Sequence, residues 1–72
     1  MKENAAKILM NVMWWENVTP KEAADALGIT EADFYAKTSG VSDFTRTERD
    51  KLSKLLGLDE TERNYIFREE EI

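Results

Sequence analysis

Two carboxylates, Glu31 and Asp33, stand two positions apart, and paired acids are minimal equipment for general acid–base work. That work also needs a cleft and a partner base, nucleophile or metal, and the chain contains neither His nor Cys. No Gly-rich phosphate loop and no metal-ligand spacing accompanies the pair. Glu31 and Asp33 therefore read as first-turn acids of a helix, where the dipole favours negative charge by roughly 0.3–1 kcal/mol. No catalytic residue, cofactor, metal or small-molecule substrate is expected. The other side chains suited to directed contacts are the hydroxyls of Thr30 and Tyr35 and the cations Lys21, Lys37 and Arg46, which could each hold a phosphate.

Something must position these groups, and the chain is short for the task. Its 72 residues suit one domain, since hydrophobic cores rarely divide below about 100 residues. Fifteen acidic against ten basic side chains give a net charge of −5, which disfavours generic binding to polyanions. The absence of Cys rules out disulfides and is consistent with a reducing cytoplasm. No apolar run approaches the roughly 18–20 residues of a membrane span, and no small-residue cleavage site follows the first apolar stretch. The expectation is a soluble cytoplasmic protein.

Helix start signals recur along the chain. Thr19-Pro-Lys-Glu22, Thr45-Arg-Thr-Glu48 and Asp59-Glu-Thr-Glu62 carry capping-box spacing, and Thr30-Glu-Ala-Asp33 is a weaker version. Pro20 suits a first helical position, where no N–H is required. Gly28, Gly40 and Gly57 sit where helices should end in a left-handed residue. These signals predict an all-α chain of five helices, near 3–17, 20–27, 31–38, 46–56 and 60–70. The first should bury a stripe of Ala5, Ile8, Leu9, Val12 and Trp15 or Glu16, leaving Met10, Met13 and Trp14 off it. Leu52, Leu55 and Leu56 line the fourth, with Leu58 just past its end. Tyr65, Ile66 and Phe67 are consecutive on the fifth, so one face cannot bury all three.

The finest pattern lies between residues 20 and 38. Small Ala23 and Ala24 allow a close helix crossing, Leu27 is apolar, Gly28 permits a sharp turn and Ile29 plugs it. Thr30 caps the next helix and Phe34 anchors it inward. This is the layout of a helix-turn-helix.

From Val18 to Leu58 the chain resembles the lambda-repressor-like, or XRE/Cro-type, family of bacterial and phage regulators. The resemblance rests on Ala24-Asp-Ala-Leu-Gly28-Ile-Thr, Phe34-Tyr-Ala-Lys37, Gly40, Asp43-Phe44-Thr45 and Lys54-Leu-Leu-Gly57-Leu58. It is nearest to a phage-type subgroup with a similar Gly turn and an aromatic finish like Tyr65-Ile66-Phe67. Such membership implies a compact five-helix DNA-binding domain and transcription regulation. It also implies sequence-specific binding to double-stranded operator DNA, usually as a two-fold dimer.

The helix near 31–38 would then enter the major groove, with Glu31, Ala32, Tyr35 and Ala36 at positions facing base edges and Thr30 at its start. Ala32 suits a thymine methyl, Tyr35 a single hydrogen bond and Glu31 a cytosine amino group. Lys37, Arg46 and Lys21 would flank the groove as phosphate contacts. Pro20 replaces a Gln common in the family, and Val41-Ser42-Asp43 supplies no base where relatives often hold one. Residues 19–52 carry five bases against seven acids. A second reading therefore stands beside the first: an acidic helix-turn-helix interaction module, or antagonist mimicking DNA, whose partner is a basic protein.

The aromatic residues off the core stripe suggest a further contact. Met10, Trp14, Tyr65 and Phe67 could form a homodimer patch between the first and fifth helices, since aromatic and Met enrichment marks interfaces. Alternatively, Trp15 closes the core and Trp14 lies half-exposed.

Overall fold

Each predicted cap forms a helix end in the computed structural model, which describes residues 3–67. The helices run α1 Glu3–Trp15, α2 Pro20–Leu27, α3 Glu31–Ser39, α4 Arg46–Leu56 and α5 Glu60–Phe67, with no strand among the described residues. Thr19 and Glu22 close a full capping box on α2, Thr45 and Glu48 one on α4. Asp59 and Glu62 exchange the equivalent bonds at α5, at 2.7 and 3.0 Å. Gly28 at φ 75° and Gly57 at φ 68° end α2 and α4 in the left-handed conformation, which a residue with a Cβ adopts only under strain.

The end of α1 differs from expectation. The helix stops at Trp15 rather than at 17, because Asn17 takes a left-handed φ of 62° and the Val18 N–H reaches back to the Met13 carbonyl at 2.8 Å. Asn is the non-glycine residue that tolerates this geometry, so a glycine search misses the stop. At the other end of the chain, α5 is described to Phe67, and its expected continuation to 70 lies outside the described residues.

The buried stripe of α1 is also rotated. Ala5, Leu9 and Met13 are its buried residues, spaced by one helical turn, with Ile8, Met10 and Val12 half-buried beside them. Trp15 does not close the core; it is 77% exposed. Met13, unbranched and 2% exposed, takes the place in the core instead. Leu55, expected in the α4 stripe, is 40% exposed, while Leu52 and Leu56 turn inward.

Helix α2 packs against α3 and α4, and α1 against α5 and, more sparsely, α3. Between them lies one cluster of Leu9, Met13, Ala23, Ala24, Leu27, Phe34, Phe44, Leu52, Leu56 and Ile66. The Cα radius of gyration is 10.9 Å, near the roughly 11 Å expected of a compact chain this long.

Candidate functional site

The position of α3 follows from its two ends and one ring. At its start Thr30 is extended (φ −79°, ψ 161°), and its hydroxyl oxygen accepts the Asp33 N–H at 3.0 Å. Ile29 packs against the core in the turn before it, donating its N–H to the Ala24 carbonyl at 3.0 Å. At its end Gly40 is left-handed and donates to the carbonyls of Ala36 and Lys37. Phe34 is fully buried and meets Phe44 edge-to-face at 5.8 Å; Phe44 in turn meets Phe67 at 5.8 Å. Thr38, one turn beyond Phe34, is buried too, with its hydroxyl donating to the Tyr35 carbonyl. With Phe34 and Thr38 inward, the helix cannot rotate without opening the core.

The outward face is thereby set. Glu31, Ala32, Asp33, Tyr35 and Ser39 are exposed, Ala36 is half-buried, and Thr30 is exposed beside them with its oxygen committed to the cap. Tyr35 is 48% exposed, its ring meeting that of Phe34 edge-to-face at 6.4 Å. The face offers one aromatic hydroxyl, two methyl groups and two carboxylates.

The three expected phosphate contacts separate. Lys21 lies exposed on the first turn of α2. Arg46 is exposed at the first position of α4, where it lines a polar groove toward α5 with Asp50, Leu58, Glu60, Arg63 and Asn64. Lys37 is largely withdrawn from solvent. Its ammonium sits 2.7 Å from the Glu48 carboxylate, donates to the Asp43 carbonyl at 3.2 Å and lies 5.9 Å from the centre of the Phe44 ring. Both side chains of the pair are largely buried, at 14% and 13% exposure. The chain thus ties the end of α3 to the start of α4 across the loop between them. Glu48 was legible as a cap, but its second role depends on a neighbour 11 residues away in sequence that only the fold brings near.

Comparison of the chain with protein-family models, curated proteins and solved structures finds no match. The residues and their geometry therefore carry the functional reading.

Electrostatics favours the ionised form at three acids, Glu48, Glu22 and Asp50. Burial pushes the Glu48 carboxyl up, but the Lys37 ammonium and the Thr45 N–H and hydroxyl outweigh it and hold it below its ordinary 4.5. The Thr19 N–H and hydroxyl lower Glu22 in the same way. Arg63, hydrogen-bonded to Asp50, lowers that carboxyl from 3.8, assisted by the charges of Arg46 and Lys54. A carboxyl lowered in the folded state contributes stability that is complete above its unfolded value and lost as pH falls through its folded one. Thermal unfolding is accordingly expected to stay level from about pH 7 to pH 5 and to drop below about pH 4.5. A Tm that rises on acidification would contradict this assignment of charge.

Among the described residues, no group of three or more acids, His or Cys could hold a metal ion, and no helix is long and apolar enough to cross a membrane. The residues expected at a dimer patch differ in exposure. Trp14 is 73% and Tyr65 58% exposed, Met10 is half-buried, and Phe67 is half-buried against Phe44 as part of the ring chain.

Proposed function

We propose that the protein is a small transcription regulator of the XRE/Cro, phage-regulator kind that binds double-stranded operator DNA. In this reading α2 and α3 form a lambda-repressor-like helix-turn-helix, with α3 in the major groove. One observation carries it: α3 is capped at both ends and pinned by Phe34 and Thr38, so that Glu31, Ala32, Tyr35 and Ala36 project from a rigid outer strip. A helix is about 10–12 Å across with its side chains, and the major groove is about 12 Å wide. In that groove Tyr35 donates one hydrogen bond, Ala32 meets a thymine methyl and Glu31 accepts from a cytosine amino group. Lys21 and Arg46 supply the phosphate contacts, while Lys37 acts indirectly by holding the α3–α4 loop.

Few cations face outward, so the salt dependence should be shallow. With two phosphate contacts per copy and two copies per operator, log K should fall against log salt with a slope of about −3 to −4. An electrophoretic shift or anisotropy titration against DNA flanking the protein's own gene measures this. No binding near roughly 50 mM salt, to operator or random DNA, would sink the proposal, because the electrostatic term is largest there.

One observation favours a second reading, an acidic module that engages a basic protein. The outward charges of α3 are Glu31 and Asp33, while Lys37 is consumed by Glu48. The double variant Glu31→Lys, Asp33→Lys separates the two. An antagonist loses its basic partner, whereas a DNA reader loses discrimination for its operator with the Glu31 contact while the added lysines raise its affinity for random DNA.

A further inference from the structure

Three first-turn carboxylates of this chain are committed to helix caps. Glu22, Glu48 and Glu62 accept the N–H groups of Thr19, Thr45 and Asp59 at 2.9, 2.9 and 3.0 Å. Glu31 differs. It is exposed at the first position of α3, and among the described residues no hydrogen bond or ion pair engages its carboxylate. An ionised carboxylate accepts hydrogen bonds and cannot donate one.

The rest of the outward strip cannot stand in for it. Ala32 and Ala36 offer methyl groups and Tyr35 a single hydroxyl. The strip holds no Arg, Asn or Gln, and the Lys37 ammonium is engaged by Glu48 and the Asp43 carbonyl. Glu31 therefore depends on a donor supplied by the base, and the cytosine amino group is the one assigned to it above. A paired cytosine uses one amino hydrogen to bond guanine, so only the other faces the major groove. A methyl group on N4 of the paired base takes the place of that second hydrogen. The carboxylate then meets a methyl in a contact from which water is excluded, and a desolvated charged acceptor is left without a donor. A guanidinium reading guanine N7 and O6 would be indifferent to such a change.

We infer that N4-methylation of the cytosine facing Glu31 weakens operator binding, so that this base modification regulates the site. The inference rests on the DNA-reading role proposed for α3. A methyl on C5 of the same base acts differently. It leaves the groove-facing hydrogen in place and presents a methyl like that of thymine, which Ala32, the next residue along, can meet. The strip thus separates two methylcytosines that differ only in where the methyl stands.

The probe is the duplex that the protein selects from a random-sequence pool, copied by polymerase with dCTP, N4-methyl-dCTP or 5-methyl-dCTP. By anisotropy, the natural chain should bind the N4-methyl duplex about 10-fold or more weakly than the unmodified one, and the 5-methyl duplex at least as tightly. Glu31→Ala has lost the acceptor already, so it should bind the unmodified and N4-methyl duplexes within about 2-fold of each other. Asp33→Ala should keep the full discrimination. Both side chains are exposed, and circular dichroism should show both variants folded. Equal binding of unmodified and N4-methyl duplexes by the natural chain would overturn the inference. So would an undiminished N4-methyl effect in Glu31→Ala, or a 5-methyl duplex bound as weakly as the N4-methyl one. These outcomes leave DNA reading by α3 intact, whereas a pool from which no duplex is enriched removes the DNA-reading role and the inference together.

Discussion

Phe34→Ala is expected to leave the chain largely unfolded at 25 °C, with most of its far-UV helical signal gone. Phe34 is fully buried and heads the series of edge-to-face rings that continues through Phe44 to Phe67. Truncating a buried Phe costs about 3–5 kcal/mol, and the lost ring–ring geometry adds roughly 0.5–1.5 kcal/mol. A core in a domain this small supplies only about 3–5 kcal/mol in total. The cost therefore equals or exceeds what is available. Tyr35→Ala, one position along the same helix and 48% exposed, provides the control and should change stability by no more than about 0.5 kcal/mol. A cooperative thermal transition for Phe34→Ala within a few degrees of the natural chain would show that the ring does not hold α3 in place. The same pair of variants bears on the proposed function: if α3 reads DNA, Tyr35→Ala should remain folded and lose discrimination between operator and random DNA.

The helix ends were legible because they are written locally. A Thr followed three residues later by Glu, or a Gly after the last apolar position, satisfies orphan backbone groups within one turn, whatever the rest of the chain does. Thr19, Thr30, Thr45 and Gly28 accordingly stand where their types imply. Asn17 shows the limit: it makes the same left-handed stop, but Asn occupies many other places, so its type alone does not announce one. The facing of α1 was less legible. Ala5 and Leu9 continue equally well to Val12 or to Met13, and only packing against the neighbouring helices selects Met13 and turns both indoles outward. Residues of the candidate site divide along the same line. The outward strip of α3 follows from Phe34 and the helical repeat. The capture of Lys37 does not, because Glu48 and the Asp43 carbonyl reach it from another helix and a loop.

That capture leads to the second large effect. Lys37→Met should destabilise the protein by about 1–3 kcal/mol, the cost of leaving a largely buried charged acceptor without its donor. In a domain of this size that lowers Tm by roughly 4–20 °C. Met keeps a stem for Phe44 to pack against, so the loss isolates the ammonium. Adding Glu48→Gln should recover most of it, since Gln still accepts the Thr45 N–H in the capping box and no longer carries a charge needing Lys37. The pH dependence supplies an independent sign. Lys37 lowers the Glu48 carboxyl, so the gap between natural chain and Lys37→Met should be full near pH 7 and shrink as pH falls through the lowered folded-state value of Glu48, closing once Glu48 is protonated in both. If Lys37 served only as a phosphate contact, its replacement would weaken DNA binding, leave Tm unchanged and gain nothing from Glu48→Gln. Calorimetry of the single and double variants at the two pH values distinguishes these outcomes. A latch of this kind also constrains how α3 could tolerate change. Substitutions at Glu31, Ala32 and Tyr35 alter what α3 presents, while Lys37 and Glu48 keep the end of α3 and the start of α4 in place, so under the proposed DNA-reading role the contacts of the strip can vary without the helix moving.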